Sequence, residues 1–317
     1  MKPVVAIDLG GTRVKAGVVR NGHLLASTVT HLAPDDKTPD GIVTRLASIV
    51  DDCLDHAGLY AKAVEGIGIG SAGAVRRSTG VVTLSPQFPL WRELPLAARL
   101  GERVGLPVTI DNDANVITLG EAAYGAGRGV GDFVCLTLGS GVGTGVFLNG
   151  DVYRGADGMA GEVGHWTVEP EGYPCNCGGR GCLEQYASAT GLRNMVRRDR
   201  LFGDMTDAAL DDPHLPERLF EAARAGDPRC IGYFDQFGYR LAIAIANVLH
   251  LLNVHTIVLA GGLARAYDAF APRLLRELPT RGYPAILKPA NVVLCELWED
   301  GGVLGAAALV AGTRPKR

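Results

Sequence analysis

The sequence predicts an α/β protein of two domains, and three observations carry that expectation. At 317 residues the chain is longer than most single hydrophobic cores serve. Short apolar runs of strand length alternate with amphipathic stretches of helical period. A strand, a glycine-rich loop and a second strand follow one another near residue 8 and again near residue 139, which suggests two similar halves facing one cleft.

Taken in order, residues 4–7 read as a buried strand that runs into Asp8-Leu9-Gly10-Gly11-Thr12, and the apolar run 16–19 ends at Asn21-Gly22. Asn-Gly between apolar runs is the strongest short hairpin signal. Ile42, Val43, Leu46, Ile49, Val50 and Leu54 share one face of a helix over 41–57, and a strand over 64–69 follows. The proline-rich stretch 85–95 is expected to be loop, and a short strand over 108–110 leads into Asp111-Asn112-Asp113. A helix over 114–124, capped by Asn112 or Asp113, is expected to open the second domain. The pair 133–138 and 145–148, the glycine- and cysteine-rich segment 155–182, a helix over 231–252 and a strand over 256–260 complete that domain. The alanine-rich segment 301–311 reads as helix. The expected domains are therefore 1–115, with a C-terminal helix over 301–315 packing back on it, and a larger 116–300.

Composition excludes several classes of function. Hydrophobic residues make up 47% and charged residues 21% of the chain, an ordinary globular balance. The net charge of -3 and the lack of a basic run leave no footprint for nucleic acid or anionic lipid. No apolar stretch reaches spanning length and no signal peptide fits ahead of the first strand, so a cytoplasmic protein acting on small molecules is expected. Three of the seven cysteines crowd into 175–182, which reads as a metal site and not as a disulfide framework.

Glycines in Asp8-Leu9-Gly10-Gly11-Thr12 allow backbone N–H groups to close around phosphate oxygens while Thr12 offers a hydroxyl. An ordinary Gly-Gly hairpin is the bland alternative for that pentapeptide alone. The second loop, Gly139-Ser140-Gly141-Val142-Gly143-Thr144, makes coincidence a poorer account, and Asp8 beside the first loop is placed to hold Mg²⁺ directly or through water. Gly68-Ile69-Gly70-Ser71-Ala72-Gly73 matches a dinucleotide fingerprint literally. It leads into a turn and not a helix, so no helix N-terminus is offered to a pyrophosphate.

Asn112-Asp113 offers an amide to orient a hydroxyl and a carboxylate to accept its proton, although plain capping explains an isolated pair equally well. His165, Cys175, Cys177 and Cys182 form a complete tetrahedral donor set for structural zinc, with no position left for a catalytic water. With one ring nitrogen on the metal, His165 keeps the other for a ligand. Glu162 and Glu184 flank this module and suit sugar hydroxyls. Cys53, Cys135, Cys230 and Cys295 stand in apolar surroundings and read as small core residues.

In this order the motifs closely resemble the ROK family of sugar kinases and repressors, within the actin/hexokinase superfamily, over nearly the whole chain. Asp8 to Thr12 resembles the first phosphate motif, Asn112-Asp113-Ala114-Asn115 the sugar-and-base motif, Leu138 to Gly145 the second phosphate motif and Leu259-Ala260-Gly261-Gly262 the adenosine motif. The segment from Gly155 to Glu184, with Glu162-Val163-Gly164-His165 and Cys175-Asn176-Cys177-Gly178-Gly179-Arg180-Gly181-Cys182-Leu183-Glu184, is similar to the family signature. The resemblance implies a two-domain actin-like (ribonuclease H-like) fold with an interdomain cleft, and an ATP-dependent hexose kinase using Mg²⁺ and a structural Zn²⁺. It implies Asp113 as catalytic base and Gly73, Asn112, Asp113, Glu162, His165 and Glu184 as sugar-binding residues. Asp8, Gly10, Gly11, Thr12, Gly139, Ser140, Gly141, Gly261 and Gly262 would bind the nucleotide, and the second domain would carry the zinc module and a homodimer surface.

Departures from the family pattern bear on substrate. The segment that usually reads Pro-Gly-x-Val-Asp is Ala72-Gly73-Ala74-Val75-Arg76, and the loop that often offers Asn before the Trp reads Ser85-Pro86-Gln87-Phe88-Pro89-Leu90-Trp91. Arg76 and Arg77 read as a solvated turn. Glucose is the first expectation; kanosamine, an N-acetylhexosamine, allose, fructose, or polyphosphate as donor are alternatives. The resemblance to repressor members is weaker, because the sequence begins at the first phosphate strand without their N-terminal extension.

Overall fold

A computed structural model describes residues 2–199 and 210–312. The chain opens with β1 (Val4–Leu9), β2 (Arg13–Arg20) and β3 (His23–His31), then α1 (Pro39–His56) and β4 (Ile67–Ser71). A small meander of β5 (Ala74–Arg76), β6 (Val81–Leu84) and β7 (Arg92–Leu94) precedes α2 (Leu96–Val104), β8 (Val108–Asn112) and α3 (Asp113–Tyr124). There follow β9 (Phe133–Leu138), β10 (Val142–Leu148), β11 (Asp151–Val152), α4 (Ala189–Asp199), α5 (Leu215–Arg224) and α6 (Pro228–Leu252). The last described elements are β12 (Thr256–Ala260), α7 (Tyr267–Glu277), α8 (Pro284–Leu287), β13 (Asn291–Leu294) and α9 (Gly301–Ala311).

The contacts divide into two compact units. The described residues of Met1–Cys135, Gly145–Gly161 and Cys295–Arg317 form the first, and those of Leu136–Thr144 and Glu162–Leu294 the second. Helix α3 thus falls in the first unit, whereas the sequence-based boundary at 115 assigned it to the second. The cause is packing, since α3 lies against α9 and β4. Of the helix expected over 301–315, residues 313–315 lie outside the described residues.

The first sheet has the order β3-β2-β1-β4-β8. Its β1, β2 and β3 are antiparallel neighbours, while β1, β4 and β8 run parallel. Asn21 and Gly22 turn the β2–β3 hairpin with φ of 51° and 78°, the doubly left-handed backbone that an Asn-Gly turn adopts without strain. Parallel pairing requires crossovers, supplied by α1 between β3 and β4 and by α2 before β8. Strand β1 is buried along almost its whole length, and β4 is buried throughout, as central parallel strands are. Val5, Ile7, Leu46, Ile49, Ile67, Ile69 and Ile110 build the core of this unit with Phe88 and Trp91. The stretch 85–95, expected to be loop throughout, ends in β7, which pairs with β6.

The second sheet has the order β11-β10-β9-β12-β13, with β12 and β13 parallel. Helix α6 is capped by the Asp227 side chain, which accepts from the Arg229 and Cys230 N–H groups, and it packs on α7. Cys53, Cys135, Cys230 and Cys295 are buried, in keeping with a core role. Among the described residues no helix is long and apolar enough to cross a membrane.

Candidate active site and metal centre

In the first unit the chain places the Asp8 loop and the Asn112-Asp113 corner at the same ends of neighbouring parallel strands, since β1 pairs with β4 and β4 with β8. Asp8 sits near the end of β1, where burial raises its carboxyl above the usual range against the opposing pull of Arg13 and Lys15. A bound dication would reverse that trend. Gly10 N–H donates to the Arg13 carbonyl at 3.1 Å, closing the turn. A side chain on Gly11 would have to displace the Gln87 side chain, which lies against the place a Cβ would take. Gln87 in turn is held by its loop, in which Phe88 stacks on Trp91 at 4.0 Å and the Trp91 indole N–H donates to the Lys37 carbonyl at 3.0 Å.

Asn112 is the N-cap of α3. Its Oδ1 accepts from the N–H groups of Ala114 at 2.9 Å and Asn115 at 3.2 Å, and its Nδ2 donates to the Gly73 carbonyl at 3.0 Å. The side chain therefore both caps the helix and fixes the turn after β4. Gly73, at φ 110° with the Leu84 carbonyl against the place a Cβ would take, is the residue type that turn requires. Asp113 occupies the first helical position, and its Oδ1 accepts from Ala114 N–H at 2.8 Å. Arg77, expected to be solvated, reaches to 3.9 Å from the Asp111 carboxylate, while Arg76 pairs with Glu93 at 3.1 Å.

In the second unit the loop after β9 carries Gly139, Ser140 and Gly141. Its carbonyls are bound by the start of α4: Ala189 N–H donates to Gly139 at 2.9 Å, and the Thr190 hydroxyl donates to Ser140 at 2.8 Å. Glu184 lies against this loop, with Oε2 accepting from Val142 N–H at 3.4 Å and filling the space a side chain on Gly141 would need. Its Oε1 takes the Cys175 thiol at 3.8 Å. Glu184 thus joins the cysteine cluster to the loop, a link that spacing in the sequence did not reveal. Gly261, at φ 86°, packs on the Leu138 carbonyl, and Gly262 has open space where a Cβ would stand.

His165, Cys175, Cys177 and Cys182 come together with their ligand atoms all within 4.8 Å of one another. The Cys177 and Cys182 sulfurs are 3.6 Å apart, and Cys175 Sγ is 3.6 Å from His165 Nδ1. A zinc tetrahedron with metal–ligand bonds of about 2.0–2.3 Å has edges of roughly 3.5–3.8 Å, so the donor set fits that ion. Gly179 N–H donates to Cys177 Sγ at 3.4 Å and lowers that thiol, while burial and the neighbouring thiols push Cys182 up to about 12. A dication at the centre would remove this conflict by stabilising all three thiolates. With Nδ1 turned to the sulfurs, His165 Nε2 stands 4.0 Å from Glu162 Oε2. Burial raises the Glu162 carboxyl above its usual range, opposed by His165 and reinforced by Glu184.

The fold and its likeness to known proteins define a sugar kinase with the two-domain actin-like α/β architecture. A family model described as the ROK family matches residues 4–313. The chain belongs to the ROK family. It is 35% identical over 311 residues to a glucokinase of Thermotoga maritima, covering 97% of this chain and 96% of that one. It is 36% identical over 313 residues to a glucokinase of Halalkalibacterium halodurans, covering 96% and 94%. Among solved structures, a ROK family glucokinase from Streptomyces griseus in complex with glucose and AMPPNP superposes with a TM-score of 0.80 at 32% identity, covering 97% of this chain and 98% of that one.

Proposed function

We propose that the protein transfers the γ-phosphoryl group of ATP to the 6-hydroxyl of glucose or a glucose-like sugar, with Asp113 as the general base. The observation that carries this reading is the Asn112-Asp113 corner: a carboxylate at a helix tip, beside an amide fixed by Gly73 and the cap, in a chain whose full-length relatives include glucokinases. In the reaction the sugar O6 forms a bond to the γ-phosphorus, the bond to the bridging oxygen of ADP breaks, and Asp113 takes the O6 proton. Such a transition state is loose, so the protein contributes chiefly by positioning and by stabilising phosphoryl charge.

Asp8, Gly10, Gly11, Thr12, Gly139, Ser140 and Gly141 hold the phosphates in this reading, and Gly261 and Gly262 allow close approach of the adenosine. Gly73, Asn112, Glu162, His165 and Glu184 hold the sugar hydroxyls. Mg²⁺ near Asp8 would offset the charge of the phosphates. Zn²⁺ bound by His165, Cys175, Cys177 and Cys182 would brace the segment that carries Glu162 and Glu184. A cytoplasmic homodimer completes the proposal.

The test is an ADP-release assay over glucose, N-acetylmannosamine, N-acetylglucosamine, kanosamine, allose and fructose, with ATP and polyphosphate compared as donors. Glucose with ATP is expected to give the highest kcat/KM. Asp113→Asn is expected to lower kcat by roughly 10²- to 10⁴-fold, the usual worth of a positioned base, with sugar KM little changed. Near-normal turnover by that variant removes Asp113 from the role.

A further inference from the structure

We propose that the buried Asp111–Arg154 ion pair is a positioning device that fixes the strand-to-helix corner carrying Asp113. The inference rests on the assignment of Asp113 as base. Asp111 is wholly buried, and its carboxylate is fully engaged. Oδ1 accepts from the Asn112 N–H at 2.8 Å and from Asn115 Nδ2 at 3.1 Å, while Oδ2 accepts from Arg154 Nε at 2.7 Å. One carboxylate therefore joins the last residues of β8 to the first turn of α3, on both sides of Asp113.

Arg154 is also held through Nη1, while its buried Nη2 makes no hydrogen bond. Its Nη1 donates to the Val152 carbonyl at 2.8 Å and to Asp151 Oδ2 at 3.2 Å. A planar guanidinium fixed through Nε and Nη1 sets the position of its partner, which a lysine ammonium on a flexible stem does not. Stability alone is a poor reason for such a pair, because apolar side chains of similar volume often serve a core equally well. What an apolar pair cannot do is accept the Asn112 N–H and the Asn115 amide together, and those bonds orient the corner.

The test is steady-state kinetics with ATP and the hexose giving the highest wild-type turnover, on Arg154→Met, Arg154→Lys, Asp113→Asn and the Arg154→Met/Asp113→Asn combination. Arg154→Met is expected to lower kcat roughly 10- to 100-fold, the scale on which small misplacements act, with nucleotide KM within about twofold of wild type. Arg154→Lys is expected to fall between. In the Asp113→Asn background the added Arg154→Met is expected to cost less than about threefold, because residues acting through one group are not additive. A full additional loss in that background, or an unchanged kcat in Arg154→Met, overturns the proposal. Wild-type turnover by Asp113→Asn alone instead overturns the base assignment on which it rests. Where Arg154→Met leaves Asp111 with only the more distant Arg77 as countercharge and fails to fold, Arg154→Met/Asp111→Asn carries the same measurements. A melting temperature near wild type with kcat still reduced supports positioning, and recovery of kcat along with folding refutes it.

Discussion

Glu121 is wholly buried, and its carboxylate is spent on backbone: Oε2 accepts from the N–H groups of Ala126 at 2.8 Å and Glu296 at 3.1 Å, and Oε1 from Leu297 at 3.1 Å. The side chain thereby closes the turn after α3 and secures the chain on its way into α9. Glu121→Ala strands three part-buried backbone donors; a fully buried one would cost about 1–3 kcal/mol, so a loss of roughly 2–4 kcal/mol in total is expected in equilibrium urea unfolding. A loss below about 1 kcal/mol would mean that the segment before α9 finds other partners. Glu121 and Asp111 were invisible as special residues in the sequence, since the partners that set them apart, Glu296 and Arg154, lie 175 and 43 positions away. His165 and the three cysteines were legible for the opposite reason: four soft ligands within eighteen residues leave few other uses for them.

Helix α9, from Gly301 to Ala311, is almost entirely buried and rich in glycine and alanine, and close approach explains that composition. A Cβ on Gly305 would strike the Val116 carbonyl, one on Gly120 would meet the Gly301 carbonyl at 2.7 Å, and one on Gly302 the Asp8 carboxyl at 2.5 Å. Backbone therefore packs on backbone between α9 and α3, and the start of α9 stands beside Asp8. Helix propensity alone favours Gly305→Ala by about 1 kcal/mol. The clash is with main chain that has no rotamer to yield, so overpacking of about 1–3 kcal/mol is expected to prevail and lower the urea midpoint. A raised midpoint would show that α9 can withdraw from α3 without penalty. Elements were legible where a local rule acts, as at the Asn21-Gly22 turn and along the apolar face of α1. They were missed where pairing is the cause: β7 follows a proline-rich stretch and forms because β6 offers it an edge, and the place of α3 was settled by α9 from the far end of the chain.

At the scale of the molecule, the metal cluster and the apolar core of the first unit described above share no residues. The core is assembled within residues 5–110, whereas the cluster is built from 165–182 and held by two isolated bridges, Thr167 to Cys182 and Pro174 to Arg180. The cluster's backbone bonds, among them Val168 N–H to the Gly181 carbonyl, Cys175 N–H to Gly179 and Leu183 N–H to Trp166, belong to turns and single bridges and not to a continuous ladder, so bound metal should supply part of its order. One zinc per chain is expected by elemental analysis. Its removal with a strong chelator is expected to abolish most hexose turnover and to raise hydrogen exchange across 162–184, while β1, β4 and α1 keep their protection. Loss of protection in β1 and β4 at the same chelator concentration would make zinc a determinant of the whole fold. Unchanged exchange and turnover after the metal is stripped would leave the hydrogen bonds of Glu184 to Val142 and Cys175 as the support of that segment.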